Sequence, residues 1–93
     1  MSGYRFSSVW DAIESDPAEA ATLKVRAELM GAIEAHIRRK RWTQTEAAKR
    51  LGVAQPRVSD LMRGKIDLFS LDTLYTMANV IGLRTELRIG EAA

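Results

Sequence analysis

Thr43-Gln-Thr-Glu-Ala-Ala-Lys-Arg-Leu-Gly-Val-Ala-Gln-Pro-Arg-Val-Ser-Asp-Leu-Met-Arg-Gly64 is the stretch that decides the fold. Thr43 with Glu46 three residues on matches a capping box, so a helix opens there, runs through Ala47, Ala48 and Leu51, and stops at Gly52. A second helix of similar length starts at Gln55-Pro56, with Val58, Leu61 and Met62 as its apolar stripe and Gly64 as its terminator. Two short helices that cross closely need a small residue in the first, a glycine at the turn and apolar residues locking the second to the body. Ala48, Gly52, Val53, Val58 and Leu61 meet these needs in order. The remaining faces are then available to DNA. Gln44 and Thr45 stand at the first helix N-terminus, where backbone N–H groups favour a phosphate. Gln55, Pro56, Ser59, Asp60 and Arg63 lie off the apolar stripe, Arg57 lies at its border, and Lys65 follows the terminating glycine.

Working outward, Asp16-Pro17 is a good helix start, and from Pro17 to about Arg41 there is no further proline and a single glycine. Val25, Leu29, Ile33 and Ile37 recur every four residues, which predicts one long amphipathic helix. Its last turn, Arg38-Arg39-Lys40-Arg41, puts cations at the negative end of the macrodipole. On the other side, Ser70 is placed to cap a helix through Leu71, Leu74, Met77, Ala78 and Ile81 that ends at Gly82. The period then changes. Leu83, Thr85, Leu87 and Ile89 alternate with Arg84, Glu86 and Arg88, the pattern of a half-buried strand. A lone strand in a helical body has no partner, so the expectation is antiparallel pairing with the same strand of a second chain; Tyr4–Val9 of the same chain is the competing partner.

Charge is unevenly distributed. The 93 residues sum to +2, but residues 34–65 carry nine Lys/Arg against three acidic residues, while both flanks sum to −2. A basic middle between acidic ends favours one docking orientation on a polyanion.

The segment from Trp42 to Asp72, and above all its Gln55-Pro-Arg-Val-Ser-Asp-Leu-Met-Arg-Gly-Lys65 run, resembles the lambda repressor-like (XRE) helix-turn-helix family. Within that family it is most similar to HigA-like antitoxins of bacterial toxin–antitoxin modules. The resemblance implies an all-α, lambda repressor-like bundle of about five helices with a C-terminal β-strand pairing across a dimer. It also implies a repressor of its own operator that neutralises a basic, RNA-cleaving, HigB-like toxin. Gln44 would meet a backbone phosphate, Gln55, Pro56 and Asp60 would face the major groove, and Arg57, Arg63 and Lys65 would reach bases or phosphates. Ala54 stands where that family commonly carries a capping Ser or Thr.

The expected organisation is therefore an N-terminal arm or short helix over residues 1–16, a helical DNA-binding unit over 17–82 and a dimerisation strand and tail over 83–93. Tyr4, Phe6 and Trp10 are three of the six aromatics and either cover the end of a small core or bind a basic protein partner. His36, the single histidine, is expected to be satisfied or solvated and not a ligand, since the chain has no cysteine. No nucleophile has a base beside it, so neither catalysis nor a cofactor or metal is expected. A cytoplasmic home follows from the missing cysteines, signal peptide and apolar span, with nucleoid association through the operator. A stand-alone regulator of the same fold and a pure protein-interaction scaffold are the competing readings.

Overall fold

The computed structural model describes residues 17–91, and these fold into four α-helices and one 3-10 turn. The helices are α1 (Pro17–Lys40), α2 (Gln44–Leu51), α3 (Gln55–Met62) and α4 (Leu71–Val80), with the 3-10 turn at Ile66–Leu68 between α3 and α4. The arm or short helix expected over residues 1–16, with Tyr4, Phe6 and Trp10, lies outside the described residues.

The boundaries follow local chemistry. Thr43 Oγ1 accepts from the Glu46 N–H at 3.1 Å, while the Glu46 carboxylate is taken by Arg50 Nε at 2.7 Å. Gly52 closes α2 with φ +73°, a left-handed conformation in which a Cβ is strained, and its N–H returns to the Ala48 carbonyl. α3 begins at Ala54 with no capping side chain and carries Pro56 in its first turn. Ser70 Oγ accepts from the Thr73 N–H at 3.1 Å and opens α4. The end of α1 is less conventional. Arg41, not a glycine, takes the left-handed conformation at φ +59°, and the Trp42 N–H then reaches back to the Ile37 carbonyl at 3.1 Å.

α1 packs along α4, α2 packs on α3, and Ile33, Ile37, Leu51, Val58, Leu61, Phe69, Leu74 and Met77 meet in one core. The inward face of α1 is rotated from the expected stripe: Val25 is 44 % exposed, whereas Met30, Arg26 and His36 are buried beside Ile33 and Ile37. The segment after Gly64, expected as a plain loop, contains the 3-10 turn, and Phe69 directly after it is fully buried. Arg26, only 3 % exposed, accounts for that turn. Its guanidinium donates to the Ile66 carbonyl at 3.2 Å and the Phe69 carbonyl at 3.4 Å, satisfying backbone acceptors that burial takes from water.

The expected C-terminal strand is not formed. Residues 83–91 run without helix, strand, turn or bend, and Leu87 and Ile89 are 82 % and 86 % exposed while Leu83 and Thr85 are half-buried. The physical reason is the one that made the strand conspicuous: α-helices offer no unpaired backbone edge, so among the described residues this segment has no ladder to join; Tyr4–Val9, the competing partner, lies outside them.

Candidate nucleic-acid interface

Val58 and Leu61 are buried to 1 % exposure or less, which fixes α3 against α2 and the body and sets its remaining faces outward. On those faces the structure gathers most of the residues singled out from the sequence. Gln44 opens α2 and Gln55 opens α3; both are exposed, and Gln55 Nε2 donates to Gln44 Oε1. The bond brings two residues eleven positions apart to one place, and with them the first turns of both helices. It also leaves the Gln44 NH2 group, with two N–H donors, and the Gln55 amide oxygen, an acceptor, for other partners. Thr45 and Pro56 are exposed beside them, and Ser59 is half-buried further along α3.

Two side chains, Arg57 and Asp60, are engaged differently from a simple outward reach. Arg57 lies with its guanidinium 4.1 Å from the Phe69 ring centroid and donates to the Leu68 carbonyl at 2.9 Å, so this side chain is tied to the body. Asp60 is half-buried and sits 3.7 Å from Lys65 Nζ, which offsets its repulsion for an incoming phosphate. Arg63 terminates α3 through its backbone N–H to the Ser59 carbonyl and is exposed. The basic middle of the chain also supplies the exposed Lys49 and Arg50 and, at the end of α1, Arg38 to Lys40 followed by Arg41.

With an exposed pair of short helices crossing at a left-handed glycine, the arrangement matches a known domain. The family model described as a helix-turn-helix domain matches residues 13–90. The chain belongs to the helix-turn-helix domain family. No curated protein matches it. As a helix-turn-helix protein it is a DNA-binding chain, with α2 and α3 standing first and second in the motif, the second being the position that gives the motif its recognition helix.

Two residues of the helix-turn-helix unit were not singled out as positioning groups from sequence. Arg26 and Arg57 hold carbonyls of the segment 66–69 from two sides, which secures the chain that leaves the recognition helix. For Arg57 a border position between apolar stripe and polar face was legible; its partner was not. His36 is 8 % exposed, accepts from Arg39 at its Nδ1 (3.0 Å) and sets its ring edge-on to Trp42 at 5.4 Å. Burial first, and the cations Arg39 and Lys40 second, lower its pKa below the ordinary 6.5, which favours the neutral ring. Trp42 is half-buried against the core, with Arg50 over its ring at 5.2 Å. Among the described residues no group of three or more His, Cys, Asp or Glu is placed to hold a metal ion, and no helix is long and apolar enough to cross a membrane.

Proposed function

We infer that this helix-turn-helix protein is a dimeric, sequence-specific autorepressor of the lambda repressor-like (XRE) type, acting as the antitoxin of a HigA-like module. The observation that carries the DNA half is the Gln44–Gln55 bond on an exposed face within the +6 third of the chain. Gln44 serves a backbone phosphate together with the α2 N-terminus, and Gln55, with an amide able to pair bidentately with adenine, enters the major groove. Arg63 and Lys65 add phosphate or base contacts, while Arg57 supports the frame. The antitoxin half rests on the resemblance of residues 42–72 and on the acidic, aromatic-bearing first third, whose charge suits a basic RNA-cleaving partner. No group arranged for catalysis is part of this reading, and the protein works in the cytoplasm, at its operator.

Co-expression with the neighbouring gene, followed by purification and an operator shift assay across a salt series, tests both halves. A co-purifying toxin and a steep loss of operator affinity with salt are expected. A flat salt response overturns docking through the basic middle. Operator binding without a co-purifying partner leaves a stand-alone regulator.

A further inference from the structure

We propose that the open cavity between the ends of α1, α2 and α4 binds a free phosphate monoester, with Lys40 and Arg50 as charged ligands and His36 as a neutral donor. The cavity holds about 500 Å³ and is lined by His36 and Lys40 of α1, Trp42, Arg50 of α2 and residues 80–82. His36 and Lys40 stand one turn apart and so share a face of α1. Among the described residues none on α3 lines the cavity, and it shares no residue with the Gln44–Gln55 face.

The polar side chains described around this cavity offer donors and no acceptor. His36 is 8 % exposed; because arginine only donates, its Nδ1 accepts from Arg39 and the neutral ring carries its proton on Nε2. Arg39 does not line the cavity, so that bond leads out of it, and Nε2–H has no acceptor among the described residues. Lys40 is exposed and likewise makes no hydrogen bond or ion pair among them. Arg50 gives its Nε to Glu46 at 2.7 Å and lays its guanidinium over Trp42 at 5.2 Å, which fixes its plane and leaves both terminal nitrogens for another acceptor. Complementing the α1 dipole accounts for Lys40 alone; it gives His36 Nε2 no acceptor and does not bring Arg50 to the same cavity. An anion satisfies all three, through charge-assisted bonds to the cations and a bond from a buried N–H that is otherwise costly to leave unmade. Two cations and separate neutral donors suit a tetrahedral dianion better than a planar carboxylate with two oxygens. The end of α4 brings about half a negative charge against these two positive ones, so the phosphate sits toward Lys40 and Arg50. Val80, 54 % exposed, and Ile81 remain as an apolar shelf for the body of the ester.

Nuclear magnetic resonance of the full chain without DNA tests the site, because His36 is the single histidine and its ring signals are unambiguous. The probes are inorganic phosphate and phenyl phosphate at about pH 7.5, where the ester is chiefly a dianion, with sodium chloride at matched ionic strength as the control. A saturable shift of the His36 ring signals is expected, with phenyl phosphate binding the more tightly. K40A and R50A should each weaken that binding about tenfold. K40A removes an exposed side chain with no partner among the described residues, so it keeps the test valid should R50A disturb the fold. K49A, the same loss of charge beside Arg50 but off the cavity, should leave binding unchanged. Shifts reproduced by sodium chloride, or binding lowered equally by K40A and K49A, overturn the site. Absence of saturable binding by either probe, with operator affinity lost in K40A and R50A, also overturns it and assigns the two cations to the operator backbone.

Discussion

The guanidinium of Arg57, on the recognition helix, stacks 4.1 Å from the ring of Phe69, on the segment that leaves it, and the same guanidinium donates to the Leu68 carbonyl at 2.9 Å. A cation in the basic third of a DNA-binding chain is thus used to join two parts of the protein. Planarity matters to both interactions, which makes Arg57 separable from a residue that only supplies charge.

Arg57→Ala should therefore destabilise the fold by about 1–2 kcal/mol and weaken operator and mutated operators alike. Arg57→Lys keeps the charge but not the stack and should resemble alanine in denaturant unfolding. If Arg57→Ala instead leaves stability intact and relaxes discrimination at one base pair by about 1–3 kcal/mol, the side chain reads a base.

Gln44 and Gln55 should couple. Gln44→Ala is expected to weaken binding to all sequences, and Gln55→Ala to alter preference at one position. Because the two amides are bonded to each other, their double-mutant cycle on operator affinity should show an interaction of at least about 0.5 kcal/mol. Strict additivity would mean that the bond does not persist on DNA.

Stability should depend on pH through His36. Its folded-state pKa lies below 6.5, chiefly because it is buried and then because Arg39 and Lys40 are close, so the unfolded chain takes up the proton more readily. The contribution of neutral His36 is fully present above pH 6.5 and is lost as pH falls from there toward the lowered folded value. Urea midpoints for wild type and His36→Gln, measured on both sides of pH 6.5, should show the wild-type slope flattened in the variant.

Arg41→Gly should stabilise the protein by about 0.5–1 kcal/mol, since the left-handed conformation at φ +59° burdens any residue with a Cβ and is free of strain for glycine. Thermal unfolding reads this directly. A lower Tm would show that the arginine side chain contributes more than its backbone costs.

Much of the fold was legible in the sequence because it is written locally. Thr43, Gly52, Ser70 and Gly82 mark helix ends by the chemistry of a few neighbouring backbone groups, and their partners lie within one turn. Ala54 was likewise correctly read as an uncapped start. Arg41 escaped because arginine has no intrinsic preference for a left-handed cap; the pull of the following chain imposes it. The rotation of α1 escaped for a related reason. A repeat of four residues drifts around a helix of 3.6 per turn, so Val25 left the buried face while Arg26 and Met30 entered it.

The sequence by itself determined where the helices run, that two of them form a helix-turn-helix pair, and that the positive charge collects around that pair. Only the tertiary structure decided which polar residues face a partner and which are spent inside the molecule. It joined Gln44 to Gln55, set Lys65 beside Asp60 and turned Arg57 onto Phe69. Among the described residues it also left 83–89 without a ladder. Helix signals act over one turn of chain, whereas the partner of a long side chain or of a strand is chosen by whatever distant segment packing brings within reach.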